Sequence, residues 1–124
     1  MCSSDLPIVD DYPDRAMGGE HAGKPFRSDV AYLATSGFVV PRRVLARTGG
    51  FDEFYDPTCF EDTDLSFQVK AAGWRIAYCP AMALGHRPHA TTGALGSYDA
   101  VRARNERYFL DKWRDYPEYF FSPP

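Results

Sequence analysis

The sequence predicts an α/β fold in which a small mixed sheet is flanked by helices. Three observations carry that expectation. Leu65, Val69 and Ala72 recur at helical spacing, with Gly73 placed to end the helix in a left-handed turn. Residues 31–40 and 74–78 are short apolar and aromatic runs of the strand type. A final long segment opens at Ser97 and keeps Tyr98, Val101, Asn105, Tyr108 and Phe109 on one helical stripe before Pro117.

The elements follow in order. Residues 1–28 hold clustered prolines and glycines, several acids and no sustained apolar period, so they form loop or linker. Residues 29–124 form the single compact unit. After the strand at 31–40, Pro41 begins a short helix through Val44 and Leu45, which Gly49-Gly50 ends. Residues 51–59 form a loop, residues 61–72 the acidic helix, and residues 74–78 and 81–84 two short strands, with His86 just beyond. A sheet of so few strands leaves an edge or face uncovered unless a further half, or another subunit, completes it.

Composition bounds the partners. The chain has 124 residues, 44% of them hydrophobic, which suits one core. A net charge of −3 and the lack of a Lys/Arg stripe exclude a nucleic-acid binder. No apolar run approaches the ~20 residues needed to cross a bilayer. Cys2, Cys59 and Cys79 are odd in number and widely spaced, as expected of reduced, buried thiols in the cytoplasm.

Chemistry concentrates in Phe60-Glu61-Asp62-Thr63-Asp64-Leu65, three carboxylates at the start of a helix. At about 100° per residue Asp62 shares a stripe with Leu65 and Val69, so it is expected to face the interior or a cleft, whereas Asp64 points away. Thr58 and Glu61 stand at capping-box spacing. The plain alternative is that these acids only complement the helix dipole.

The surrounding residues favour a richer reading. In order the chain carries Thr35-Ser36-Gly37-Phe38-Val39-Val40-Pro41-Arg42-Arg43, Gly49-Gly50-Phe51-Asp52-Glu53, the acidic cluster, Gly73-Trp74, Tyr78-Cys79-Pro80 and His86. This order resembles the C-terminal half of the family 2 glycosyltransferases, inverting enzymes of the GT-A fold that use nucleotide sugars. Arg104-Asn105 and Phe109-Leu110-Asp111-Lys112-Trp113 resemble the closing helix of rhamnosyltransferase-like members. The likeness covers residues 32–113.

The resemblance implies a partial GT-A fold lacking the N-terminal nucleotide-binding half, with Met1 a truncated or artificial start. It implies transfer of a sugar from a nucleotide-sugar donor to a glycan or lipid-linked acceptor, at the inner face of a membrane when the acceptor is lipid-linked. In its terms Asp62 is the general base, kept ionised by the helix N-terminus. Glu61 orients the loop or acceptor, Asp64 holds the helix start, and Asp52 and Glu53 meet acceptor hydroxyls. His86 lies near a divalent metal, Mn or Mg, held mainly by the missing half. Asp10-Asp11 could pass for the metal motif, but only about fifty residues separate it from Asp62 and no nucleotide-binding fold precedes it, so it is an acidic turn.

Other readings stand beside these. His86 and His89 with Asp64 suggest a metal-dependent hydrolase, against which Pro88 breaks any regular helix and no third ligand is near. Asn105 and Lys112 either tie down a loop or contact donor phosphates or acceptor. Trp74, Phe51 and Phe54 are assigned to the core, with an acceptor groove as the alternative for the two phenylalanines. A non-catalytic glycan- or protein-interaction module retaining the fold is the competing function.

Overall fold

The computed structural model describes residue 26 and residues 29–34, 37–79 and 96–121. Three α-helices order these segments: α1 (Arg42–Thr48), α2 (Glu61–Ala71) and α3 (Tyr98–Trp113). Short 3-10 turns lie at Glu53–Tyr55 and Pro117–Phe120.

The sequence signals for α1 hold. Pro41 is extended at its N-cap, and Gly49 takes φ 83° at its C-cap, donating its N–H to the Leu45 carbonyl at 3.0 Å. Gly73, also at φ 83°, closes α2 with its N–H on the Lys70 carbonyl at 2.9 Å. Only glycine takes this backbone without a Cβ clash. Ser97 stands at the N-cap of α3 but makes no side-chain capping bond.

The start of α2 differs from expectation. Its N-cap is Phe60, so Glu61 is the first helical residue and Thr58 lies too far back for a capping box. Cys59 and Phe60 are both left-handed, at φ 78° and 75°. For bulky side chains this region is sparsely populated and costs of order 1–3 kcal/mol per residue, so the surroundings must hold the turn in place.

The expected sheet is absent among the described residues, where no strand forms. The Val30 N–H bonds the Ile76 carbonyl at 3.0 Å, and the Leu33 N–H bonds the Ser66 hydroxyl at 3.3 Å. These backbone groups are satisfied one at a time, whereas a strand needs a ladder of successive bonds to a neighbour. The segment expected as a strand at 81–84 lies outside the described residues, as do residues 1–25.

Two apolar clusters grip α2 from different sides. Phe67, Phe60, Tyr55, Cys59, Phe109 and Trp113 form an aromatic core between α2 and α3, joined by Ala31 and Tyr32. Phe67 meets Phe109, Trp113, Tyr119 and Phe120 at centroid distances of 5.1 to 5.7 Å. Val69, Val44, Val30 and Ile76 form a second cluster under α1. Trp74 is half-buried against it, with the Arg43 guanidinium 5.3 Å from the ring centroid. Phe51 and Phe54 are exposed, contrary to their core assignment. Phe54 instead stacks on Tyr108 at 3.9 Å with Arg104 also over its ring, a contact made at the surface. The cysteines also depart from expectation: Cys59 is buried and disulfide-bonded, and Cys79 is an exposed free thiol.

Candidate functional site

The site is built by the 52–64 stretch and the face of α3 that holds it. Asp52 opens this stretch by accepting the Phe54 N–H at 3.0 Å, which caps the 3-10 turn. That turn buries Tyr55, whose hydroxyl donates to Asp64 at 3.0 Å. The chain then turns left-handed through Cys59 and Phe60, and α2 begins with Glu61, Asp62 and Asp64 in its first turn.

The stripe argument misplaces Asp64, which was expected to point away and is fully buried; Asp62, expected to face the interior or a cleft, is half-buried. The reason is that α2 is enclosed on more than one side: Thr63, Asp64, Leu65, Ser66, Phe67 and Val69 are all buried. A single apolar stripe cannot orient such a helix.

Asp64 is satisfied internally. It accepts from Trp113 Nε1 at 2.7 Å, Gln68 Nε2 at 2.6 Å, the Tyr55 hydroxyl at 3.0 Å and Lys112 Nζ at 3.0 Å. A buried carboxylate needs such donors, because burial without them is prohibitive. Lys112 Nζ also meets Asp52 at 2.8 Å, and Tyr108 donates to that carboxylate at 2.9 Å. The Lys112 hydrogen bond, against the opposing effect of burial, holds Asp52 below the usual carboxylate range. Burial pulls the Lys112 ammonium down, but Asp52 and Asp64 together hold it above its ordinary value. Burial and then the Asp64 charge push the Tyr55 phenol well up, so it serves as a donor.

Asn105 is also turned inward. Its buried Nδ2 donates to the carbonyls of Tyr55, Thr58 and Cys59 at 2.9, 2.7 and 3.0 Å. Its Oδ1 accepts from Arg104 Nε at 2.9 Å. Arg104 continues the grip on the carbonyls of Phe54 and Asp56.

Glu61 and Asp62 are placed differently. Asp62 Oδ1 accepts the Thr63 N–H at 2.7 Å and the Thr63 hydroxyl at 3.3 Å. Burial, and then the neighbouring Asp62 charge, push the Glu61 carboxyl up to about 7, against the lowering effect of the amides of Glu61 and Cys59. Among the described residues its Oε2 is buried with no hydrogen-bond partner. A carboxyl titrating near neutrality beside a second carboxylate is an arrangement suited to proton transfer.

Of the sequence-derived candidates, Glu61 and Asp62 stand together at the helix start, Asp52 and Asp64 are joined through Lys112, and Glu53 is exposed in the 3-10 turn. His86 and His89 lie outside the described residues. Among the described residues no group of three or more His, Cys, Asp or Glu side chains converges on a metal position. The Tyr55 and Trp113 bonds to Asp64 were not foreseen, whereas a tie of the loop by Asn105 and Lys112 was one of the two expected readings. Its signal is the i, i+3, i+7 spacing of Asn105, Tyr108 and Lys112, which puts a donor-rich face on α3.

Comparison with known proteins identifies the family. Residues 12–108 match the family model described as "Glycosyltransferase like family 2", and the chain belongs to that family. Membership carries the α/β GT-A architecture. Over 70% of its length the chain is 34% identical to the N-acetylglucosaminyl-diphospho-decaprenol L-rhamnosyltransferase of Mycobacterium tuberculosis, of which it covers 28%. Over 97% of its length it is 30% identical to a Drosophila melanogaster protein named "Putative polypeptide N-acetylgalactosaminyltransferase 10", of which it covers 18%. The chain thus spans less than a third of the length of the curated relatives it matches. No solved structure matches it.

Proposed function

We propose that this chain is the acceptor-binding, base-bearing part of an inverting glycosyltransferase, with Asp62 as the general base. The observation that carries the reading is the Glu61–Asp62 pair at the N-terminus of α2, fixed in place by α3, in a chain of glycosyltransferase family 2. The acceptor hydroxyl gives its proton to the Asp62 carboxylate while its oxygen bonds the anomeric carbon. The bond from that carbon to the diphosphate breaks on the opposite side, and the nucleoside diphosphate leaves with the electron pair. Glu61, protonated part of the time near neutrality, donates a hydrogen bond to the acceptor.

Asp64 and Asn105 brace the turn and helix that carry this pair, and the exposure of Glu53 and Phe51 supports a role for them in meeting the acceptor. The donor is a nucleotide sugar. The acceptor class is a glycan or a lipid-diphosphate-linked sugar, the latter supported by the name of the mycobacterial relative. His86 and a divalent ion carried mainly by another part of the enzyme belong to the same proposal, and no step here is routed through them. The described residues include no helix long and apolar enough to cross a membrane.

The test is transfer by the full-length protein from dTDP-, UDP- and GDP-sugars to a lipid-diphosphate-linked N-acetylhexosamine. Asp62→Asn is expected to lower turnover by about 10² to 10⁴ with thermal unfolding unchanged. Near-normal turnover would overturn the base assignment. Glycan binding without transfer in the wild type would replace the enzyme reading with an interaction module.

A further inference from the structure

We infer that Asn105 is a positioning residue for the Glu61–Asp62 pair, because its carboxamide fixes the two peptide planes through which the chain enters its left-handed turn. This rests on the reading of Asp62 as the base. The Thr58 carbonyl belongs to the peptide leading into Cys59, and the Cys59 carbonyl to the peptide leading into Phe60. Both accept from Asn105 Nδ2, at 2.7 and 3.0 Å. Cys59 and Phe60 are the residues at φ 78° and 75°.

Such backbone persists only where the surroundings over-determine it. Here a fully buried side chain 46 residues away in sequence supplies such a constraint, beside the disulfide that Cys59 itself carries. The next link is direct: the Phe60 carbonyl accepts the Asp64 N–H at 2.8 Å, the first bond of α2. The angle of the turn therefore sets where Glu61 and Asp62 stand.

Asparagine suits the task and close analogues do not. Three carbonyls converge on one nitrogen, so aspartate would oppose oxygen to oxygen, and glutamine adds a methylene in a filled core. Arg104 fixes which way the amide faces, by donating to Oδ1 at 2.9 Å. Asn105 itself is buried within the protein and is assigned no contact with substrate.

The test titrates the Glu61 carboxyl by carbon-13 NMR in the wild-type chain, Asn105→Ser, Arg104→Met and Val44→Ala. Val44 lies in the second apolar cluster and serves as a control for general destabilisation. In the wild type the midpoint is expected at about 7. It should fall toward the ordinary 4.5 in Asn105→Ser and Arg104→Met, and stay in place in Val44→Ala. In the full-length protein the first two variants are expected to lower kcat about tenfold to a hundredfold, as a small misplacement does. KM for the donor should change by less than about threefold.

A midpoint unmoved in Arg104→Met, or moved equally in Val44→Ala, overturns the inference. If Asn105→Ser does not fold, Arg104→Met decides, since its side chain lies at the surface. Absence of transfer in the wild type would sink the reading of Asp62 as base, while the Glu61 midpoints would still decide whether Asn105 sets the turn.

Discussion

Glu61 is the residue whose charge state the fold changes most usefully. In the folded chain it titrates near 7, against an ordinary 4.5, because burial and the Asp62 charge disfavour its ionised form. Between those values the folded chain binds more protons than the unfolded one. Its contribution to stability is therefore complete below about 4.5 and is lost as pH rises through about 7. Glu61→Gln, which cannot ionise, is expected to flatten this part of the stability profile and to exceed the wild type in stability at pH 8. Urea midpoints of both proteins at pH 5 and pH 8 measure the effect, and parallel profiles would show that Glu61 is not perturbed. Asp52 acts in a separate window. Lys112 holds its value below 3.8, so its contribution is present above that value and lost only at more acid pH.

At the scale of elements, α3 acts on the 52–64 stretch through a row of donors. Arg104 and Asn105 take carbonyls of the loop, Tyr108 and Lys112 take Asp52, and Lys112 and Trp113 take Asp64. Lys112 thus ties both ends of the stretch with one ammonium, and closing a loop in this way removes conformational freedom from the segment that carries Glu61 and Asp62. Lys112→Met is expected to destabilise the chain by about 2–3 kcal/mol, the cost of depriving a buried carboxylate of a charged donor. Urea unfolding at pH 7 checks this, and a loss below about 0.5 kcal/mol would mean that the pair behaves as an exposed surface bridge.

At the scale of the molecule, two apolar clusters on different sides of α2 make that helix the centre of the described structure. Its N-terminus carries Glu61 and Asp62, and the proposed function assigns nucleotide binding to another part of the enzyme. Calorimetric titration of the chain with UDP, GDP and dTDP in the presence of Mn²⁺ is therefore expected to show no micromolar binding. Micromolar affinity would place a donor site within these residues and overturn the division of labour proposed above.

Much of this was legible in the sequence. The helices were, because glycine and proline punctuation and apolar spacing act locally: Pro41, Gly49 and Gly73 stand where the backbone needs them. The family was legible too, because its motifs are short runs in a fixed order that the family match then bore out. The orientation of the carboxylates was not. Asp64 lies inside because Trp113, Lys112 and Tyr55 reach it from distant parts of the chain, and no spacing within residues 61–72 encodes those donors. The left-handed turn at Cys59 and Phe60 was hidden for the same reason: neither residue favours it, and the Thr58 and Cys59 carbonyls that lead through it are bonded by Asn105 from α3. By itself the sequence determined which segments are helical and which family they serve, since both are set by neighbours along the chain. Only the tertiary structure decided which carboxylates face inward and how the 52–64 stretch is held, since both depend on hydrogen bonds between residues some fifty positions apart.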